Sequence, residues 1–137
     1  MTGGFLDTNV LLYSISIRPE EKPKRLRAVE LLDLSDHSLS TQVLQEFFVQ
    51  STRPTKIDAI PFDEARLLVQ AFMRFRVQDV TPAIVMAALD IAARHSLSYW
   101  DSAIVAAAQA LNCATLYSED MSHGMKIGGT TIVNPFR

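Results

Sequence analysis

Short apolar runs alternate with amphipathic segments along this chain. Residues 3–6 end on Phe5-Leu6 and read as a first strand, weakened by Gly3-Gly4; residues 7–14 read as a first helix. Residues 18–24 are polar and interrupted by Pro19 and Pro23, which predicts a loop. Residues 25–34 form a helix with Leu26, Val29, Leu31 and Leu32 on one side. Residues 37–40 predict a strand, 41–52 a helix stopping before Pro54, 63–75 a helix and 77–80 a strand. Thr81-Pro82 sets a capping hydroxyl before a proline at the first helical position, so a helix runs from there to about His95. Residues 98–112 form a further helix, and 114–117 and 130–133 are strands. Short apolar strands alternating with helices predict an α/β fold with a parallel sheet covered on both faces. At 137 residues, with no repeat and no long linker, the expectation is one domain over 1–137.

Composition narrows the function classes. Net charge is −2, so the chain is not a generally basic nucleic-acid binder, and any such contact needs a local patch. The single cysteine, Cys113, excludes an internal disulfide and suits a reducing cytoplasm. No apolar run is long enough for a bilayer and the first residues lack the order of a signal peptide, so a cytoplasmic protein without a membrane span is expected.

The chemistry rests on acids. In FLDTNVLLYS, residues 5–14, Asp7, Thr8 and Asn9 separate two apolar segments. Asp7 reads either as a helix cap, accepting from N–H groups two or three residues on, or as an acid at the carboxyl end of a strand, where open α/β sheets bind ligands. YWDSAIVAAAQAL is apolar almost all round and is expected to be buried. Asp101 shares a face there with Ile104, Val105 and Ala108; the helix dipole explains its position but not its burial. Glu46 flanks the stripe Val43, Leu44, Phe47 and Phe48, as a solvated edge residue or as part of a site. Glu119 or Asp120 again puts an acid after a strand, with Ser118 able to hydrogen-bond a carboxylate. Parallel strands would gather these carboxylates at one end of the sheet. Clustered carboxylates raise one another's pKa unless a cation intervenes, and oxygen ligands suit a hard divalent ion. His37, His95 and His123 are not spaced as a zinc set, which favours Mg²⁺ or Mn²⁺.

The segments FLDTNVLLYS, STQVLQEFFV, LSYWDSAIVAAA, LYSEDMSHG and IVNPF, in this order, resemble the PIN domain, and specifically the VapC-type ribonuclease toxins of toxin–antitoxin systems. The resemblance covers nearly the whole chain. It implies a three-layer α/β/α fold around a short parallel sheet. It also implies catalytic, metal-binding acids at Asp7, Glu46, Asp101 and Asp120, supported by Thr8, Asn9 and Ser118. The Gly3-Gly4 pair and the Glu119-Asp120 pair depart from the family pattern, and the second leaves the fourth acid open. The implied activity is Mg²⁺- or Mn²⁺-dependent endoribonucleolysis leaving a 5′-phosphate and a 3′-hydroxyl. Asp7 and Asp101 would hold the main ion; Glu46 and Asp120 would complete that site or hold a second ion. The implied partners are a structured RNA such as tRNA and a cognate antitoxin protein.

For RNA contact the candidates are Arg18, Lys22, Lys24, Arg25 and Arg27, set against Glu20 and Glu21, with Arg53 and Lys56 as a smaller group. The alternative is a solvated charged loop. Leu67, Leu68, Ala71, Phe72, Met73 and Phe75 carry enough apolar surface to suggest a homodimer. An inactive PIN-like module binding RNA or protein is the rival reading, and four retained acids count against it. A phosphotransferase of the haloacid-dehalogenase type needs a second acid two residues after the first, where Asn9 stands.

Overall fold

The computed structural model describes residues 3–34 and 36–137. The chain runs β1 (Phe5–Leu6), α1 (Thr8–Ser14), a 3₁₀ turn (Pro19–Glu21), α2 (Lys22–Leu32), β2 (Ser38–Ser40), α3 (Thr41–Ser51), α4 (Phe62–Phe72), β3 (Arg76–Gln78), α5 (Pro82–His95), α6 (Tyr99–Ala110), β4 (Thr115–Tyr117), β5 (Lys126–Ile127) and β6 (Thr130–Val133). Among the described residues one six-stranded sheet has the order β3-β2-β1-β4-β6-β5. Helices flank it on both faces, giving the three-layer α/β/α arrangement expected from the alternating pattern. The order reverses at β1, whose neighbours β2 and β4 lead to opposite edges. Such a switch point opens a crevice at the carboxyl ends of the central strands.

The sheet is parallel except for β5, which pairs antiparallel with β6. Pattern reading missed β5 because two residues carry no period. Its signal is the turn: Gly128-Gly129 joins two strands whose ends pair Ile127 with Thr130, and Gly128 has φ +58°. The predicted loop at 18–24 is also corrected. Pro23 sits in the first turn of α2, where its missing N–H costs nothing, so the helix begins at Lys22. The buried side of α2 is Ala28, Leu31 and Leu32, whereas Leu26 is 51 % exposed. Arg76–Gln78 is strand rather than 77–80, because Asp79 and Val80 already lead toward the cap of α5.

Helices α3, α5 and α6 begin within one residue of their expected starts, each behind a capping hydroxyl. Ser40 accepts from the Val43 N–H, Thr81 from that of Ile84 and Ser98 from that of Asp101. Helix α6 is buried from Ser102 to Ala108, as its apolar circumference requires. The glycine pair that weakens β1 has a packing reason. A Cβ on Gly4 would stand 2.5 Å from the Tyr117 ring, and one on Gly3 would stand 2.6 Å from the Asp36 carbonyl oxygen.

Candidate active site

Asp7 leaves β1 at the switch point with 4 % of its surface exposed. Its N–H donates to the Tyr117 carbonyl at 3.0 Å, which ties it to the end of β4. One carboxylate oxygen accepts from the Thr8 N–H and the other from the Ser118 hydroxyl, both at 2.7 Å. The capping expectation is therefore met only in part. Asp7 precedes α1, but it accepts from the adjacent residue rather than from N–H groups further into the helix. Burial pushes its pKa up to about 7, the bonds from Ser118 and Thr8 oppose the rise, and the charges of Asp120 and Glu46 add to it.

The other acids surround the same small cavity. It measures about 120 Å³ and is lined by Asp7, Thr8, Asn9, Gln42, Glu46, Trp100, Asp101 and Asp120, with Leu12, Gln50 and Ile104 completing the wall. Glu46 arrives from α3, with the Thr8 hydroxyl donating to Oε1 at 2.7 Å and the Gln42 amide to Oε2 at 3.3 Å. Asp120 follows β4; it accepts from the Asn9 amide at 3.1 Å, and its own N–H donates to the Ser118 hydroxyl at 3.1 Å. Asn9 also receives the Glu119 N–H at 3.3 Å, so one amide fixes the turn that carries the fourth acid.

Asp101 corrects an expectation of deep burial. It lies in the first turn of α6 and is only partly buried, because the helix enters the core one residue later, at Ser102. Its pKa is still raised, by burial first and then by Asp120 and Glu46, with Ser98 opposing. Glu119, the other candidate for the fourth acid, faces elsewhere. It accepts from Tyr13 and pairs with Lys24, and Asp120 is the one that lines the cavity.

Among the described residues no group of three or more His, Cys, Asp and Glu side chains forms a ready-made metal cluster. The donor chemistry nevertheless suits a hard divalent ion. The cavity is lined by carboxylates and by no sulfur or imidazole, and Mg²⁺ asks for only one or two carboxylates beside its waters.

The basic segment is divided among separate acids. Arg18 pairs with Glu20 at 2.8 Å, Lys24 with Glu119, and Arg27 with Glu30 at 3.4 Å. Lys22 and Arg25 lie on a separate cavity with Arg18. Arg18 and Lys56, from the two predicted groups, meet on a cavity of about 250 Å³. Asn9, Leu12, Gln50 and Asp120 are shared between it and the acid-lined cavity. The apolar surface proposed for a dimer is reduced too. Phe72 and Phe75 are buried in the core, while Leu67 and Met73 are exposed.

Sequence reading missed Gln42 and Trp100. Gln42 had a signal, since it stands one turn before Glu46 and so shares its helix face. Trp100 had only its place before Asp101.

A three-layer α/β/α domain with carboxylates gathered at its switch point is the class that fold and site define. Within that class the chain belongs to the PIN domain family, whose model matches residues 4–123. No curated relative matches by sequence. Among solved structures, the chain is similar to a toxin–antitoxin complex from Klebsiella pneumoniae, with TM-score 0.73 and 18 % identity over 97 % of this chain and 98 % of that one. It is similar to VapC20 of Mycobacterium tuberculosis, a sarcin–ricin loop cleaving toxin, with TM-score 0.66 and 19 % identity over 85 % and 88 %. It is similar also to FitAcB from Neisseria gonorrhoeae, with TM-score 0.66 and 22 % identity over 96 % and 97 %. At these identities the likeness establishes the fold. Among the described residues no helix is long and apolar enough to cross a membrane.

Proposed function

We propose that this protein is a Mg²⁺- or Mn²⁺-dependent endoribonuclease and the toxin of a toxin–antitoxin pair. The observation that carries this reading is the convergence of Asp7, Glu46, Asp101 and Asp120 on one cavity at the switch point, with Asp7 buried there. An RNA phosphate is an anion, and four carboxylates repel it unless a cation stands between them. Asp7 and Asp101 are the residues to hold that cation, with Asp120 and Glu46 completing its surroundings or holding a second. The ion would supply Lewis acidity and a water of lowered pKa for in-line displacement at phosphorus.

The chain's own groups do the rest. Ser118 and the Thr8 N–H orient Asp7 and favour its ionised form. Thr8 and Gln42 clamp Glu46, which leaves it placed to orient the attacking water and accept its proton. Asn9 holds Asp120 against the end of β4. Because water attacks rather than the ribose 2′-hydroxyl, the products carry a 5′-phosphate and a 3′-hydroxyl. Unpaired segments of structured RNA, such as tRNA, are the substrate class, since their bases are free to splay and stack. Arg18 and Lys56 beside the acid-lined cavity would meet the flanking backbone.

The toxin role draws on the solved structures that this chain resembles, one a toxin–antitoxin complex and another a cleaving toxin. A cleft of carboxylates also suits an arginine or lysine from a partner. Expression without a partner should arrest bacterial growth, and Asp101→Ala at equal protein level should not. Equal growth of the two strains would remove the toxin reading, and an inactive binding module would then be the better description. We propose further that the exposed Leu67 and Met73 contribute to a homodimer. Light scattering at micromolar concentration should return twice the monomer mass, and a monomer mass would refute this.

A further inference from the structure

We infer that Trp100 is a stacking platform for an unpaired base next to the scissile phosphate, an inference that rests on the ribonuclease reading above. The acid-lined cavity holds about 120 Å³, well under the roughly 300–1,000 Å³ of a pocket for a small organic ligand. Its lining of carboxylates suits a cation and the phosphate that the cation draws in, rather than a base. The bases on either side must therefore lie on the rim.

Trp100 is the aromatic residue on that rim, and 63 % of it is exposed. Its mounting is rigid at both ends. The indole meets Tyr99 edge to face, with centroids 5.0 Å apart and planes at 80°, and Tyr99 packs against the core. The Trp100 carbonyl accepts from the Gln42 amide at 3.2 Å, and the same amide reaches Glu46. The platform and an acid of the site are thus fixed to one side chain. The cavity that Trp100 borders is mostly polar, lined by Asp7, Asn9, Gln42, Glu46, Asp101 and Asp120 beside Leu12 and Ile104. An apolar helix from a protein partner would gain little there, whereas a base offers a π-face to the indole and polar edges to its neighbours.

Trp100 is the only tryptophan in the chain, so its emission reports this position alone. Single-stranded RNA mixed rapidly with the wild-type protein in Mg²⁺ should quench that emission to saturation before cleavage proceeds. With Mn²⁺ present, Trp100→Ala should raise KM about tenfold or more with little change in kcat, as expected for loss of one base–aromatic stack. Trp100→Phe should recover most of the loss. An RNA with an abasic site beside the cleaved bond should raise KM for the wild type and leave the KM of Trp100→Ala where it was. Unchanged emission at saturating RNA, or unchanged KM in Trp100→Ala with active cleavage, would overturn the inference and leave the ribonuclease reading standing. An emission shift driven by protein concentration without RNA would assign the residue to contact between copies and also overturn it. Quenching by RNA without any cleavage by the wild type would keep the platform and sink the nuclease.

Discussion

Replacing Asp7 by asparagine should abolish cleavage and, in EDTA at pH 8, raise the melting temperature. The two effects have one cause. Asp7 is buried against Asp120 and Glu46, and its pKa rises from 3.8 to about 7. The folded state therefore holds this proton more tightly than the unfolded chain does. Stability from this group is full below about pH 4, falls as the pH rises and levels off above about 7. A shift of about three units corresponds to about 4 kcal/mol lost at pH 8 in the metal-free protein. Asparagine keeps the shape without the charge. It forfeits one of the two bonds, from Thr8 or Ser118, which costs about 1 kcal/mol. The balance is a gain of roughly 3 kcal/mol, on the order of 10 °C for a domain of this size. Near pH 5 wild-type Asp7 is mostly protonated, so the gain should nearly vanish. Activity should fall by more than about 100-fold, the upper end of what losing an outer-shell partner of a metal costs. Thermal melts of both proteins from pH 5 to 8 check this. A variant less stable than wild type at pH 8 would mean that Asp7 serves the fold as a cap.

Divalent ions should reverse the same strain. At a concentration 100 times its dissociation constant, Mg²⁺ or Mn²⁺ stabilises the state that binds it by about 2.7 kcal/mol. Wild-type protein at pH 8 should thus gain roughly 8 °C on moving from EDTA to saturating Mn²⁺. Binding must displace the proton on Asp7. Apparent affinity should therefore fall about tenfold per pH unit below about pH 7, and at pH 5 the same Mn²⁺ concentration should give almost no shift. Asp7→Asn and Asp101→Asn should show little stabilisation at either pH. A Mn²⁺ shift equal at pH 5 and pH 8, or equal in wild type and Asp7→Asn, would place the ion elsewhere.

The parts of this molecule that sequence made legible are those set by local chemistry. Thr81 announces its helix because a cap needs only its own turn. The apolar circumference of α6 announces its burial for the same reason. The gathering of Asp7 and Asp120 could be foreseen because parallel strands put their carboxyl ends together. What stayed hidden depends on contacts between distant segments. That Asp120 rather than Glu119 lines the cavity follows from Lys24 and Tyr13 capturing Glu119 from α2 and α1. The basic stretch looked like one patch, yet Arg18 and Lys24 turn to different acids, and Arg18 borders one cavity with Lys56 from the other predicted group. Phe72 and Phe75 looked like interface residues until the core claimed them. Strand β5 was too short for any period, and only its Gly-Gly turn marked it.

If the four acids hydrolyse RNA through a divalent ion, both the ion and the chemistry of the product ends are open to direct test. Purified protein stripped with EDTA, then supplied with Mn²⁺ or Mg²⁺, should be incubated with total cellular RNA and the product ends determined, with Asp7→Asn run in parallel. The expected result is no cleavage in EDTA, restoration by either ion, fragments with 5′-phosphate and 3′-hydroxyl ends, and no such fragments from Asp7→Asn. Undiminished cleavage in EDTA, or fragments ending in a 2′,3′-cyclic phosphate, would contradict it.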